Sequence, residues 1–522
     1  MRRVSGDKRG KVYLVGAGPG DPKLITVRGL EAIARADAIV YDRLANPRLL
    51  RHARPDAQKV FAGKTPDKHM LKQEEINQLL VDLALAGKTV VRLKGGDPSV
   101  FGRVGEEAEA LAERGIPFEI VPGVTSAIAV PAYAGIPVTH RDFASSFSIV
   151  TGHEYPNKTY ATVNWDHLAQ AADTIVFLMG VANAEAICER LIRGGKRPDT
   201  PAAIVRMGTW MEQATLTGTL ETLPDRIRET NFEPPAVIVV GEVVRLRDKI
   251  AWFEKQPLFG TRVLVTRAQE QAGELVRLIE ERGGEAVEFP VIRIRPPEDE
   301  TAKKALDQAI GRLEQFDWVI FTSVNGVDYW FRALAERGVD IRRLSKAKIA
   351  AVGPKTEEAL KRRGIYADVV PPASFQAEGL AEALRPHVAP GQEALWPTND
   401  LARDTLADEL RQAGLRVTRA TVYENAPSLE CGEEVLELLQ AGAIHVVTFT
   451  SSSTVVNLLG ALKRLGVERP EQLLSRTEVA CIGPVTARTA EDNGLRVTVL
   501  PEQATVAALV DAIAERRKFA GK

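Results

Sequence analysis

A glycine-rich loop follows the first apolar stretch of the chain. Residues 16–21 read GAGPGD and come directly after Val12–Val15. Glycines at a strand end let a ligand approach the backbone, because no Cβ intervenes. A dinucleotide-binding loop requires glycine where this chain has Asp21, and Pro19 removes a backbone N–H that a pyrophosphate would use. The sequence also lacks the GxxxxGK[ST] phosphate loop. The loop therefore predicts a ligand other than these nucleotides, or a turn that only lets strand and helix pack closely.

Carboxylate and hydroxyl side chains follow other predicted strands. Asp42 follows Ala38–Tyr41, and a carboxylate held at a strand end can act as a general base. In the second half of the chain, hydroxyl groups and backbone N–H groups at helix N-termini can hold carboxylates. These hydroxyl residues are Thr322, Ser323, Thr450, Ser451 and Ser452. The alternative interpretations are a turn or cap residue for Asp42 and ordinary helix caps for the others.

The elements that must position these residues alternate between strand and helix. A strand at Val12–Val15, a helix over Thr26–Ala36 and a strand at Ala38–Tyr41 form the pattern of a parallel α/β sheet. The pattern recurs at three apolar strands that each end in a glycine-bearing loop, namely Thr89–Lys94, Phe118–Val121 and Thr174–Leu178. Ligands collect at the carboxyl ends of strands in open α/β sheets, so these loops are the predicted binding region.

Length, composition and charge bound the class of protein. The 522 residues predict about three to four domains, and 45% hydrophobic with 26% charged residues is typical of a globular protein without membrane spans. Three dispersed cysteines and the lack of a signal-peptide pattern favour the cytoplasm and argue against a structural metal. The net charge of −1 disfavours nucleic-acid and membrane-surface binding. Residues 1–100 nevertheless hold 19 basic and 11 acidic residues, an excess of +8 that suits an anionic partner.

The second half contains an internal repeat. DWVIFTSVNGV (317–327) precedes AVGPKTEEALKRRG (351–364), and HVVTFTSSSTV (445–455) precedes CIGPVTARTAEDNG (481–494). Such a repeat predicts two similar α/β lobes, whose connections cross between them. The irregular, charged stretch before the strand that begins at Thr261 marks a domain boundary at about residue 255.

Several strings at long spacing resemble the uroporphyrinogen-III C-methyltransferases over about residues 11–247. They are YDRL (41–44), GK (63–64), RLKGGDPSVFGR (92–103), VPGVTSAIAVPAYAGIPVTHRD (121–142), TGH (151–153), LMG (178–180) and PPAVIVVGEVV (234–244). The resemblance implies a two-lobed tetrapyrrole methylase fold, with lobes of about 11–120 and 121–247. It further implies that S-adenosylmethionine methylates C2 and C7 of uroporphyrinogen III to give precorrin-2.

Site residues follow from this resemblance by position. Asp42 matches the proton acceptor and Lys64 the proton donor. The implied cofactor contacts are Pro19, Gly95, Gly96, Asp97, Val100, Thr125, Ser126, Met179 and Gly208; the alternative for Met179 is a core residue. Uroporphyrinogen carries eight carboxylates, so its pocket needs cations, and Arg43, His140 and Arg141 are the candidates. No metal is expected.

The second half resembles uroporphyrinogen-III synthase over about residues 260–518. The matching strings are VLVTRA (263–268), DWVIFTSVNGV, VGPKT (352–356), LARDTLADELRQAG (401–414), VYE (422–424), FTSSST (449–454) and CIGPVT (481–486). The family's fold implies two α/β lobes joined by a pair of strands. The expected division is one lobe of 261–286 with 428–518, a second lobe of 297–416, and linkers at 287–296 and 417–427.

The implied synthase reaction dehydrates hydroxymethylbilane and closes it through a spiro intermediate with the last ring inverted. Such an enzyme mainly folds a polyanion into the correct closure, which is positioning more than acid–base chemistry. Tyr423 matches the tyrosine that the family places in its cleft, where it protonates or steers the departing hydroxyl or is dispensable. The serines and threonines named above would hold propionate and acetate groups.

The sequence thus predicts an α/β chain with two enzymatic halves: a two-lobed methylase at 11–250 and a two-lobed synthase with crossover strand linkers at 261–518. A disordered tail is expected at 1–10 and a linker at 251–260. The expected partners are tetrapyrroles, with a homodimer through the methylase domain. Two alternatives remain, a methylase of this fold acting on a modified histidine or ribosomal RNA, and a second half that is a non-catalytic, two-lobed binding module.

Overall fold

The computed structural model describes residues 9–63, 71–152, 163–267, 269–372, 377–402, 404–429 and 431–520. The chain divides into two compact units. The first comprises residues 1–262 with 279–285 and 517–522, and the second comprises 263–278 with 286–516. Most of the predicted tail, residues 1–8, lies outside the described part. Among the described helices, none is long and apolar enough to cross a membrane.

The first unit opens with a five-stranded parallel sheet in the order β3-β2-β4-β1-β5. Its strands are β1 (Val12–Gly16), β2 (Ala38–Tyr41), β3 (Gln58–Phe61), β4 (Val90–Lys94) and β5 (Phe118–Val121), and the helices of this region are α1 (Val27–Arg35), α2 (Gln73–Leu85), α3 (Val104–Glu113) and α4 (Ser126–Tyr133). Strands β1, β2, β4 and β5 lie within one residue of the predicted apolar runs, whereas β3 was not predicted. Continuous apolar runs suit parallel strands, because helices cover both faces of the sheet.

The predicted first helix has clear end signals. The side chain of Thr26 accepts a hydrogen bond from the backbone N–H of Gly29 and so caps α1, which ends before Ala36. Such a cap satisfies a backbone donor that has no partner within the helix. The apolar face of α1 buries Ala32 and Ile33 beside β1.

A second sheet in the same unit has the order β6-β7-β10-β8-β9. Its strands are β6 (Phe147–Thr151), β7 (Thr174–Leu178), β8 (Pro201–Arg206), β9 (Ala214–Thr219) and β10 (Ala236–Val240), with helices α5 (Trp165–Ala171), α6 (Ala184–Arg193), α7 (Leu223–Glu229) and α8 (Arg247–Ile250). The extension of the parallel pattern to β7 was wrong in part. β7 runs parallel to β6 but antiparallel to β10, because local apolar runs do not encode strand direction.

The segment predicted as a linker, 251–260, packs against the first unit. The indole nitrogen of Trp252 donates to the carbonyl of Ala132 at 3.1 Å, and both Trp252 and Phe253 lie edge-on to the ring of Tyr133. Gln213 donates to Glu254 at 2.9 Å. These contacts make the stretch part of the packing around the C-terminal end of α4.

The second half holds two further five-stranded sheets, β12-β11-β18-β19-β20 and β13-β17-β16-β14-β15. Their strands are β11 (Arg262–Val265), β12 (Glu285–Glu288), β13 (Ile292–Arg295), β14 (Trp318–Phe321), β15 (Lys348–Ala351), β16 (Glu393–Asn399), β17 (Arg416–Pro427), β18 (Val446–Phe449), β19 (Glu478–Cys481) and β20 (Val497–Val499). The helices are α9 (Gln269–Glu281), α10 (Glu300–Gly311), α11 (Val324–Glu336), α12 (Pro354–Lys361), α13 (Ala377–Leu384), α14 (Thr405–Gln412), α15 (Gly432–Gln440), α16 (Ser452–Arg464), α17 (Pro470–Leu474), α18 (Pro484–Asp492) and α19 (Val506–Ala520).

The chain crosses between these two sheets at the segments predicted as linkers. After β12 in one sheet, β13 enters the other, where it pairs antiparallel with β17 from Ile292 opposite Pro427 to Arg295 opposite Glu424. β17 also runs parallel to β16 and then leads to α15 and β18. The two copies of the repeat supply β14 with β15 and β18 with β19, which are parallel pairs in separate sheets.

Candidate active sites

Three loops meet at the carboxyl end of the first sheet. The backbone N–H of Ala17 donates to the carbonyl of Lys94 at 2.7 Å, and that of Gly96 donates to the carbonyl of Gly18 at 2.7 Å. These bonds tie the loop after β1 to the loop after β4. The loop after β5 joins them through Gly123, so the glycine-bearing loops after β1, β4 and β5 form one structure.

Glycine is required here by close backbone approach. A Cβ on Gly16 would lie 2.6 Å from the Cα of Gly123, and a Cβ on Gly123 would lie 2.4 Å from the carbonyl oxygen of Gly96. Gly96 itself has φ +69°, while a Cβ there would meet nothing closer than 3.6 Å. Gly96 is therefore needed for its backbone conformation rather than for lack of room.

The other predicted cofactor residues of these loops have defined local partners. Asp97 accepts backbone hydrogen bonds from Ser99 at 2.7 Å and Gly123 at 2.9 Å, so its carboxylate fastens the loop after β4 to the loop after β5. Thr125 caps α4 by accepting from Ala127, and Ser126 is the first residue of that helix. Asp97 thus orders the loops whether or not it touches a ligand.

Met179 and Gly208 lie on loops of the second sheet. Met179 follows β7 with φ +58° and is 53% exposed, which makes the core interpretation wrong. A left-handed, exposed methionine is typical of a ligand-contacting loop, since such backbone strain concentrates at functional sites. Gly208 follows β8, and a Cβ there would lie 2.4 Å from Val130 Cγ1 of α4.

The loop after β1 also contacts the loop after β8. The backbone N–H of Asp21 donates to Thr209 Oγ1 at 3.0 Å, and the hydroxyl of Tyr133 donates to Asp21 Oδ2 at 3.0 Å. A Cβ on Gly20 would strike the indole of Trp210 at 2.0 Å. The sequence analysis missed Tyr133 and Thr209, although the aspartate in place of a sixth glycine was a signal that this loop is built differently.

The predicted proton acceptor stands at the end of β2. The Asp42 side chain is 28% exposed, and its Oδ1 accepts from the backbone N–H of Leu44 at 3.0 Å. Its Oδ2 lies 3.5 Å from Arg92 Nη2. Lys64, the predicted proton donor, lies outside the described residues.

The predicted substrate cations are at the surface. Arg43 and Arg141 are exposed, and His140 is half-buried. The ring of His140 stacks on Phe143 with 4.8 Å between centroids, and its Nδ1 accepts from the backbone N–H of Asp142 at 3.1 Å. The structure therefore holds His140 within its own turn and leaves the two arginines accessible to solvent.

Buried charges lie behind Asp42. Arg92 and Lys94 of β4 are each 4% exposed, and Glu107 of α3 is fully buried. Glu107 Oε1 accepts from Lys94 Nζ at 2.6 Å and from Arg92 Nε at 3.2 Å. Burial lowers the pKa of Lys94, as does the charge of Arg92, while Glu107 opposes the change. The sequence analysis missed this group, although basic residues within the apolar run VVRLK were a visible signal.

A second polar group surrounds Tyr423 of β17 in the second unit. Tyr423 is 5% exposed; its hydroxyl lies 3.3 Å from Ser323 Oγ and accepts from Asn399 Nδ2 at 3.4 Å. Ser323 also caps α11 by accepting from the backbone N–H of Gly326 at 2.9 Å. The strands β16 and β17 and the start of α11 thus bring together two of the predicted synthase residues, and Asn399 is one that the sequence analysis missed.

The remaining predicted synthase hydroxyls have partners of their own. Thr322 Oγ1 accepts from the indole of Trp396 at 3.1 Å. Ser451 caps α16 in a reciprocal pair with Thr454, and Ser452 Oγ accepts from Thr489 Oγ1 at 2.8 Å. Thr450 is half-buried between β18 and α16. Ser323 and Ser451 therefore serve as helix caps, and the helix starts present backbone N–H groups beside them.

The chain is thus an α/β protein of two compact units, with its candidate sites at the carboxyl ends of parallel strands. The family of Tetrapyrrole (Corrin/Porphyrin) Methylases matches residues 11–224, and the family Uroporphyrinogen-III synthase HemD matches residues 273–511. The chain belongs to the family of proteins in which a uroporphyrinogen-III C-methyltransferase is joined to a uroporphyrinogen-III synthase.

Relatives match over nearly the whole chain. "Porphyrin biosynthesis protein HemD" of Ruminiclostridium josui is 40% identical, covering 97% of this chain and 98% of the relative. "Uroporphyrinogen-III C-methyltransferase" of Bacillus subtilis is 40% identical, covering 92% and 93%. A crystal structure of uroporphyrin-III C-methyl transferase from Thermus thermophilus complexed with S-adenyl homocysteine is 40% identical, covering 45% of this chain and all of that chain, with a TM-score of 0.39.

Proposed function

We propose that the chain catalyses two successive steps of tetrapyrrole synthesis. The second half closes hydroxymethylbilane to uroporphyrinogen III, and the first half methylates that ring at C2 and C7 to give precorrin-2. The observation that carries this proposal is the presence of both family domains in one chain, which relatives match over nearly its whole length.

The residues of the first unit fit S-adenosylmethionine. Gly96 presents a backbone without a Cβ beside the start of α4, and the exposed Met179 offers apolar surface for an adenosyl group. Gly95, Gly96, Val100, Thr125, Ser126, Pro19 and Gly208 lie on the loops and helix start that would surround it. When bound, S-adenosylmethionine supplies an electrophilic methyl group on a sulfonium. The chain's own part is to hold this group against a pyrrole carbon.

The proton balance assigns a role to Asp42. A pyrrole carbon would form the new bond to the methyl group as the methyl–sulfur bond breaks and S-adenosylhomocysteine leaves, and the positively charged ring would then lose a proton. We assign the acceptance of that proton to the Asp42 carboxylate, whose Oδ1 is held by the backbone of Leu44. Lys64 is assigned as proton donor from the family pattern alone.

Exposed cations support binding of the octaanionic ring. Arg43 follows Asp42 directly, and Arg141 with His140 lies in the segment after α4. Arginine pairs with carboxylates in a bidentate manner, so each of the two arginines suits an acetate or propionate group. We also propose that the methylase domain forms a homodimer.

In the second unit we assign the Tyr423 cluster to the bilane. The Tyr423 hydroxyl, held by Ser323 and Asn399, is the group that would steer or protonate the departing hydroxyl. The starts of α11 and α16, with Thr322, Thr450, Ser451 and Ser452, would hold side-chain carboxylates of the substrate. The catalytic contribution of the enzyme is chiefly to fold the linear bilane substrate before ring closure.

Hydroxymethylbilane with and without S-adenosylmethionine tests the proposal. Without the methyl donor we expect only unmethylated type III ring, and with it a doubly methylated type III ring. Chromatography identifies the ring isomer, and mass spectrometry counts the methyl groups. Type I ring alone, the product of spontaneous closure, would show that the second half only binds. Methyl transfer to RNA in place of supplied uroporphyrinogen III would overturn the methylase assignment.

A further inference from the structure

Two buried cations share one strand beneath the methylase site. Arg92 and Lys94 alternate with apolar residues on β4, and each is 4% exposed. Glu107 is fully buried against them. Charges are excluded from protein interiors unless they are paired and hydrogen-bonded. Three buried charged side chains at one place therefore indicate either a function or a strict geometric requirement.

The contacts of Arg92 fix its guanidinium group. Nε donates to Glu107 Oε1 at 3.2 Å, and Nη1 lies 3.2 Å from the carbonyl oxygen of Leu93 and 3.4 Å from that of Val40. The remaining nitrogen, Nη2, points at Asp42 Oδ2 at 3.5 Å. Glu107 and the two carbonyl groups thus aim the positive charge at the end of β2.

The same arrangement orients the Asp42 carboxylate. One oxygen is held by the backbone N–H of Leu44 at 3.0 Å and the other faces Arg92. Among the residues that the structure describes, the charged groups around Asp42 are Arg92 and Lys94 on β4, with Glu107 behind both, and the adjacent Arg43. An arginine stays protonated throughout the working pH range, so Arg92 always presents a hydrogen-bond donor to the Asp42 carboxylate.

We propose that Arg92, held in place by Glu107, is a positioning residue for methyl transfer that keeps the Asp42 carboxylate oriented for each of the two proton transfers. The inference rests on the proposed role of Asp42 as proton acceptor. It adds a reason for a buried arginine at this position: two methylations of one ring require the carboxylate to face the ring in the same orientation twice.

The test is the steady-state kinetics of methyl transfer to supplied uroporphyrinogen III by the full chain. For Arg92→Gln we expect kcat to fall about tenfold, while KM for S-adenosylmethionine changes less than about twofold. Arg92→Lys keeps the charge, so it should recover part of the loss. An unchanged kcat in the folded Arg92→Gln protein, or a loss confined to KM, overturns the proposal.

A double-variant cycle separates this role from a merely structural one. In an Asp42→Asn background, Arg92→Gln should cause no further loss of kcat, because the carboxylate it positions is gone. An equal further loss would overturn the proposal. Full activity of Asp42→Asn alone would instead overturn the proposed proton acceptor, so the two failures are distinguishable.

The matched control is an arginine at the opposite end of β2. Arg54 Nη2 lies 3.1 Å from Asp37 Oδ1, just before the strand, as Arg92 lies beside Asp42 just after it. Arg54→Gln should leave kcat unchanged. Circular dichroism and thermal unfolding of every variant establish that the compared proteins are folded.

Discussion

The hydroxyl of Tyr133 donates a 3.0 Å hydrogen bond to Asp21 Oδ2, which ties the last turn of α4 to the glycine-rich loop after β1. Burial and the charge of Asp21 raise the pKa of Tyr133, so the hydroxyl remains a donor. Since α4 begins at the predicted cofactor residues Thr125 and Ser126, one helix connects two parts of the candidate cofactor site.

Loss of this bond should loosen the loop after β1. For Tyr133→Phe we expect KM for S-adenosylmethionine to rise about tenfold with little change in kcat, since a hydrogen bond to a charged acceptor contributes about 1.5–3 kcal/mol. Steady-state kinetics at fixed uroporphyrinogen III measures this. Tyr366→Phe is the control, because Tyr366 is 72% exposed in the second unit. An unchanged KM in Tyr133→Phe would show that the loop does not depend on the bond.

Close backbone packing makes Gly16 intolerant of a side chain. A Cβ there would lie 2.6 Å from Gly123 Cα and 2.7 Å from the carbonyl oxygen of Gly96, so Gly16→Ala must separate the loops. We expect methyl transfer to be lost and stability to fall by about 1–3 kcal/mol, as for other overpacked sites. Thermal unfolding and the methylation assay check this.

Gly273→Ala is the matched control for Gly16→Ala. It lies within α9, where a Cβ would meet nothing within 4 Å. Alanine is a better helix former than glycine by about 1 kcal/mol, so Gly273→Ala should leave stability unchanged or raise it. If both alanine variants behave alike, the glycines of the loop are not required by packing.

Ser323 and Tyr423 should be energetically coupled. Ser323→Ala removes the cap of α11, at a cost of about 1 kcal/mol, together with the 3.3 Å contact to the Tyr423 hydroxyl. Because Tyr423→Phe removes the same contact, the double variant should lose less stability than the sum of the single ones. Urea unfolding of the four proteins measures the coupling.

The cap of another helix, α10, serves as the comparison for this double-variant cycle. Asp299 caps α10 by accepting from the backbone N–H of Ala302 at 2.8 Å. Asp299→Ala should cost about as much as Ser323→Ala, yet its effect should add to that of Tyr423→Phe within about 0.5 kcal/mol. Additivity in both cycles would mean that the 3.3 Å contact contributes nothing.

Two buried thiols should make the protein less stable at alkaline pH. Burial raises the pKa of Cys188 and of Cys481 to about 12. Between about pH 8.5, where an unfolded thiol ionises, and pH 12, the unfolded chain releases protons that the folded one retains. Stability therefore falls as the pH rises, by about 1.4 kcal/mol per pH unit for each thiol.

Alanine at either cysteine should flatten this dependence. We expect Cys188→Ala and Cys481→Ala each to reduce the loss of stability between pH 8 and pH 10, as measured by urea unfolding. The cysteines lie in different units, so the two effects should be separable. Slopes identical to that of the unchanged protein would contradict the burial of the thiols.

Much of the fold follows from local pattern. The apolar runs place β2, β5 and β7 at the residues where they are found, and Thr26 marks the start of α1. The two copies of the internal repeat, DWVIFTSVNGV and HVVTFTSSSTV, predict the positions of β14 and β18. These features could be predicted because burial of a strand and the capping of a helix depend on residues close together in sequence.

The antiparallel arrangement around β7 and the packing of Trp252 against α4 could not be predicted in this way. Strand direction and the contacts of an irregular segment depend on where the rest of the chain returns. The contact between Asn399 and Tyr423 could not be predicted either, because it joins the neighbouring strands β16 and β17.

The sequence by itself therefore determined the succession of strands and loops along the chain. It also determined the glycines and the family strings that carry the two activities. Only the tertiary structure decided which side chains share one space. Asp42 and Arg92 are 50 residues apart and meet because β2 and β4 are neighbours in the sheet. Glu107 reaches Arg92 because α3 packs against that strand. Such pairings arise from strand order and burial of charge, which act between distant segments and leave no periodic trace in the chain.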